Sequence, residues 1–299
     1  MRNLLFMAIL LFAASSFAQE QERDSATDAQ AHGPDSSRII GHVYHVNFWK
    51  SIAVTLGTEL AILAVNTVPN HTAPEITDAE FNTLQSPTGK DQLNAIDRLS
   101  LKLGKPSVDY TWIAVDFQTL CAAAPLTLLF GEKYRKNWDD IVLMMAEMNA
   151  INMFTFQFSP FGPFFQRRYR PITYYAITPE ERQKEKVGNN RASFYSGHTS
   201  AATASLYFMA KIYCDYNPQI RGWDKIGIFA LASVPPMIMG YLRVIALRHF
   251  ISDVLVGGIV GGTIGILVPE LHRIAGKDFS LGAYSSPEGT GLTFAMKLR

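Results

Sequence analysis

The residues with the plainest chemical potential lie in Gly240–Asp253, where Arg243, His249 and Asp253 sit at the junction of two strongly apolar segments. If the chain is helical from Phe250 onward, His249 and Asp253 share one face, and the carboxylate can hold the imidazole by one ring nitrogen. The other nitrogen is then free to attack an electrophile. Arg243 precedes His249 by six residues, about 240° round a continuous helix of ~3.6 residues per turn. A break is therefore expected between them, with Arg243 ending one helix. A cation, an imidazole and a carboxylate so arranged suit the handling of a phosphate group.

Two further clusters point the same way. Arg170-Pro171 follows an aromatic run, Phe154 to Phe165, of the kind that sits at membrane headgroup level. Ser193-Phe-Tyr-Ser-Gly-His198 opens another segment. If that segment is a helix, its first backbone N–H groups point at an anion, Gly197 lets the backbone approach closely, and Ser196 adds a donor.

The elements that must position these residues are apolar. Hydrophobic residues make up an ordinary 48% of the chain, but charged residues are only 18%, below the ~25% usual in soluble domains. Those charges are gathered into a few loops. Trp112–Phe130 holds Asp116 as its one charge, Ile141–Phe158 holds Glu147, Ile226–Leu242 holds none, and Phe250–Val268 holds Asp253. Each is near span length. Thr199–Tyr213 is a weaker case, and Ser51–Val65 is short, with Glu59 inside it. Asp116 and Glu147 are expected to face the bundle interior, since a lipid-facing carboxylate is costly. Gly257, Gly261 and Gly265 predict a close helix contact.

The fold class expected is all-α, a polytopic membrane bundle of about five to six helices with a short polar helical subdomain before the core. Residues 1–18 read as a signal peptide, with Arg2, an apolar run and a small-residue ending. Residues 19–38 read as a polar, disordered leader. Residues 39–109 combine the short apolar segment with the polar subdomain, where Thr77 and Glu80 form a capping-box pattern. The core is placed at 110–275 and a tail at 276–299. Cys121 and Cys214 each fall within or at the end of an apolar segment, so no disulfide is expected. The basic turn Glu132–Lys136 is assigned to the cytoplasm by the positive-inside rule. Following the spans alternately from there puts all three clusters on the outer face.

These residues resemble the type 2 phosphatidic acid phosphatase and vanadium haloperoxidase superfamily. Its motifs are Lys followed after six residues by Arg-Pro, then Pro-Ser-Gly-His, then Ser-Arg with His after five more residues and Asp after a further three. Here they read Arg170-Pro171, Ser196-Gly197-His198, and Arg243, His249 and Asp253, over roughly the last 130 residues. The resemblance implies that His249 is the nucleophile forming a phosphohistidine, Asp253 its orienter and His198 the general acid. It implies that Arg170, Arg243, Ser196 and Gly197 cradle the phosphoryl oxygens. Tyr195 replaces the family's Pro, Leu242 its Ser, and Pro163 its Lys. Arg168, with Arg167, is close enough to supply the missing charge, although an Arg is not a point-charge Lys.

The implied activity is hydrolysis of a membrane lipid phosphate or pyrophosphate, without metal or other cofactor and without a nucleic-acid partner. The implied location is a bacterial inner membrane with a periplasmic site. A lipid phosphotransferase, a weakened scaffold and a haloperoxidase are the alternatives.

Overall fold

Long apolar stretches with few charges form helices here because every backbone polar group is satisfied within the segment. The computed structural model describes residues 43–67, 75–106, 108–165, 168–274, 279–286 and 289–296. The expected signal peptide and leader, and Arg167, lie outside the described residues.

Helix α1 (Phe48–Thr67) is followed by three short polar helices, α2 (Asp78–Gln85), α3 (Pro87–Asp91) and α4 (Ala95–Lys102). Helix α5 (Thr111–Ala123) tightens into a 3-10 turn that ends at Phe130, and α6 (Glu132–Arg135) leads into α7 (Trp138–Gln157). A long connection containing α8 (Pro179–Glu185) reaches α9 (Gly197–Asp215), α10 (Trp223–Ile245) and α11 (Ile251–His272). Strands β1 (Phe279–Ser286) and β2 (Gly289–Met296) form an antiparallel hairpin within the expected tail.

Among the described residues, α1, α5 with its 3-10 extension, α10 and α11 are long and apolar enough to cross a membrane. The molecule is an all-α membrane bundle. Helices α7 and α9 are of similar length but more polar, and they are its most buried helices. Ile141, Met144 and Met148 of α7 pack with Phe208 and Ile212 of α9, Leu128 and Val268. Helices facing protein rather than lipid can carry Ser, Thr and Asn, provided each finds a partner. Ser200 donates to Asn152 at 2.6 Å in this interior.

Helices α9 and α11 meet along the glycine stripe. A Cβ at position 257 would lie 2.6 Å from the Ser196 carbonyl oxygen, and one at 261 or 265 would run into the carbonyls of Ser200 and Ala204. Glycine is required there because backbone touches backbone.

Of the two expected interior carboxylates, one is found inside. Glu147 is buried, accepts the Ser51 hydroxyl at 2.7 Å and meets His272 Nε2 at 3.0 Å. Asp116 is exposed, contrary to expectation. Helix α5 is apolar on all sides, so its sequence carries no stripe to orient it. Cys121 and Cys214 are buried free thiols.

The direction of each helix follows from the contacts at its ends. One end of the bundle gathers Tyr44, Lys133, Asn137, Asp215 and Arg273: Tyr44 donates to Asp215 at 2.7 Å, Asn137 to Tyr216 at 3.1 Å, and Lys133 to Asn217. Helix α1 leaves this end alongside α7, with Val46 N–H on Asp140 and Ser51 on Glu147. The opposite end carries the three expected clusters.

Candidate active site

The break required between Arg243 and His249 is present. Helix α10 ends at Ile245 and α11 begins at Ile251. In the turn between them Leu247 has φ +54°, a left-handed conformation that a branched side chain adopts only where its surroundings hold it. Leu247 is fully buried, and its carbonyl accepts the Ile172 N–H at 2.9 Å. That bond fastens the Arg170 segment to the turn. The N–H groups of Arg248 and His249 both donate to the Arg243 carbonyl, at 3.1 and 3.3 Å.

A second set of backbone bonds brings in the remaining cluster. Ser193 N–H donates to the Arg168 carbonyl, Arg170 N–H to the Asn190 carbonyl and Ser196 N–H to the Asp253 carbonyl, each at 2.9 Å. Arg168–Arg170, Ser193–His198 and Arg243–Asp253 are thereby joined by main-chain hydrogen bonds. His198, half buried, stands in the first turn of α9 immediately after Gly197. A Cβ on Gly197 would press on the Phe156 ring at 3.0 Å.

The geometry around His249 corrects one expectation. Its Nδ1 lies 2.6 Å from the Ser193 carbonyl oxygen, whereas Asp253 Oδ2 is 3.8 Å away. His249 precedes α11, so the shared helical face expected for residues 249 and 253 does not form. A carbonyl only accepts, so Nδ1 carries the hydrogen and Nε2 the lone pair. Asp253 acts one step removed: its Oδ2 accepts the Ser193 hydroxyl at 2.6 Å and the Phe250 N–H at 2.8 Å. Burial, and then the charges of Arg170 and Arg243, hold the His249 imidazole well below its ordinary pKa.

Those two arginines form a candidate anion site. Arg170 Nε, Arg243 Nε and Arg243 Nη1 are buried and have no acceptor among the described residues. Burial, and then the neighbouring Arg248 charge, push the Arg170 guanidinium down to about 10, which leaves it charged at neutral pH. Buried guanidinium nitrogens without acceptors are costly, and an anion placed between them would satisfy them.

The other two residues expected at the phosphate are differently engaged. Ser196 Oγ caps α9 through the Thr199 N–H and lies 2.9 Å from the Thr199 hydroxyl. Arg168 stacks over Phe250 at 4.9 Å and gives its guanidinium to Asp97, to Ser252 at 3.2 Å and to Asp253 Oδ1 at 2.7 Å. Asp97, Ser100, Ser193 and Ser252 are the site residues that sequence reasoning missed. Only Asp97 left a local trace, as the third helical position after the N-cap Asn94.

Guanidinium nitrogens of Arg170 and Arg243, beside a buried imidazole at the end of a helical membrane bundle, form an arrangement suited to an oxyanion. Residues 140–276, a little under half of the chain, match the model of the PAP2 superfamily. Over 90 residues the chain is 36% identical to phospholipid phosphatase 1 of Rattus norvegicus and of Mus musculus, covering 28% of this chain and 30% of each relative. The chain thus aligns with under a third of the length of these curated relatives. It is also similar to the crystal structure of a transmembrane PAP2-type phosphatidylglycerolphosphate phosphatase from Bacillus subtilis, with a TM-score of 0.38 and 21% identity over 72% of this chain and 94% of that one.

Proposed function

We propose that this chain is a membrane phosphatase that hydrolyses a lipid phosphate or pyrophosphate through a phosphohistidine on His249. The observation that carries this reading is the trio of buried guanidinium nitrogens on Arg170 and Arg243 that lack an acceptor among the described residues, next to an imidazole whose tautomer leaves Nε2 nucleophilic. Fixed donors of this kind meet charge spread over equatorial phosphoryl oxygens without reorganising.

In the proposed reaction Nε2 of His249 forms a bond to phosphorus while the ester P–O bond breaks. His198 gives a proton to the departing oxygen. Water then attacks phosphorus as His198 takes up a proton, the N–P bond breaks, and phosphate leaves. Asp253 stabilises the cationic imidazole of the intermediate from 3.8 Å and by holding the hydroxyl of Ser193, whose carbonyl accepts the Nδ1–H. Gly197 allows the α9 N-terminus to approach. Ser196 supports the cradle by holding the first turn of α9, and Arg168 supports it through Asp253.

A lipid substrate is favoured by position. The site lies where membrane-length helices end, and Phe154, Phe161 and Phe165 are exposed beside it. A phosphate held there leaves its attached chain in the bilayer. The test is kcat/KM for phosphatidic acid in micelles against p-nitrophenyl phosphate, with and without a chelator. The lipid is expected to be preferred and the chelator to have no effect. Equal efficiency on both substrates would remove the lipid assignment.

A further inference from the structure

We propose that Asp97, in the polar subdomain outside the family-matched core, is a positioning residue for the chemistry at His249, acting through Arg168 and Asp253. This rests on the phosphatase reading above and adds to it a residue supplied by α4. Asp97 is fully buried and accepts three hydrogen bonds from two residues of the site, Ser252 and Arg168. Its Oδ1 accepts the Ser252 N–H at 3.1 Å, its Oδ2 accepts the Ser252 hydroxyl at 2.9 Å, and its Oδ2 also accepts from Arg168 Nη2. Next to it, Ser100 Oγ accepts the Ile251 N–H at 3.1 Å. The first N–H groups of a helix have no partner within it. Here those of α11 are capped from a distant helix, so α4 fixes where the helix bearing Asp253 begins.

The charge arrangement goes further than capping. Arg168 is shared: Nη2 faces Asp97, while Nη1 lies 2.7 Å from Asp253 Oδ1. Two fully buried carboxylates divide one guanidinium, so Asp253 is held in place without being fully neutralised. It keeps negative charge to offer the imidazole, which becomes cationic only as the N–P bond forms. Stacking of Arg168 over Phe250 and Phe194 leaves the guanidinium little freedom to choose one carboxylate over the other. Without the Asp97 charge, Arg168 would pair with Asp253 alone and weaken the field at His249. Losing an interaction realised only as charge develops lowers kcat rather than substrate binding.

Asp97→Asn separates this role from capping, because the amide oxygen still accepts the Ser252 N–H while the negative charge facing Arg168 is lost. The expected result with phosphatidic acid is a kcat reduced roughly 10- to 100-fold, as for a small misplacement of catalytic groups. KM and the inhibition constant for inorganic phosphate should stay within about threefold, since a defect confined to the developing charge leaves ground-state binding alone. Arg168→Gln should show the same split for a different reason, since Asp253 then loses the guanidinium that holds it in place, and Asp97→Asn/Arg168→Gln should be no slower than the worse single variant, because without Arg168 the Asp97 charge has nothing through which to act. Should Asp97→Asn fail to fold, Arg168→Gln alone reads the same split with the α11 cap intact. Wild-type turnover in Asp97→Asn, a defect in KM or melting temperature only, or multiplicative losses in the double variant would each overturn the proposal. A wild-type protein without phosphate release would overturn both this and the phosphatase reading.

Discussion

At the scale of single residues, the site is built on groups kept in unusual electrostatic surroundings. Because burial and two arginines oppose its protonation, His249 should remain neutral below the ordinary imidazole value of about 6.5. The sign for stability follows. Below about pH 6.5 the unfolded chain binds a proton that the folded one refuses, so this group makes stability fall as pH drops and contributes nothing above that value. 15N chemical shifts of a His249-labelled sample should show the Nδ1–H tautomer persisting below pH 6; titration at 6.5 or above would contradict the assignment. The buried arginines make the opposite kind of statement. Arg243→Met should raise the stability of the phosphate-free protein by roughly 1–3 kcal/mol, the usual cost of an unsatisfied buried group. The same change should abolish stabilisation by added phosphate. A destabilised variant that still responds to phosphate would show that Arg243 does not hold the anion.

At the scale of elements, close backbone contact between α9 and α11 sets the spacing of the two site segments. Gly265→Ala should cost about 1–3 kcal/mol through overpacking, because the new methyl meets the Ala204 carbonyl. Gly258→Ala is the control: its nearest neighbour would be Thr203 Oγ1 at 3.9 Å, an ordinary contact. Melting temperatures in detergent that fall equally for both would refute the stripe as the contact. This stripe, the Arg243–His249 break and the helix opening at Gly197 were legible in the sequence because each depends on local spacing. The Arg168 partnership was not, since Asp97 is 71 residues away and only tertiary packing brings them together. The same limit explains Ser193: the atom that fixes His249 is a main-chain carbonyl, which no residue type announces. It also explains Asp116, on a helix without a polar stripe, whereas Glu147 reaches both Ser51 and His272.

At the scale of the whole molecule, helix direction constrains topology. Because α1 runs parallel to α7, residue 43 and the basic turn at Lys133–Lys136 lie at one end and the site at the other. A cleaved export signal and an outward-facing site therefore exclude one another if α1 crosses the membrane. The positive charge of that short turn favours a cytoplasmic basal end and an outward site. With Cys121 and Cys214 replaced, Lys184→Cys should react with an impermeant thiol reagent in intact cells, and Lys136→Cys only after lysis. The reverse pattern would put the site in the cytoplasm and restore the cleaved leader.

The central claim is that phosphate passes through His249. Protein quenched during turnover of phosphatidic acid should carry an acid-labile, base-stable phosphoryl group on His249, located by mass spectrometry. His249→Ala should carry none and should release no phosphate while melting cooperatively. Turnover in His249→Ala, or wild-type turnover with the phosphoryl group on another residue, would contradict the account.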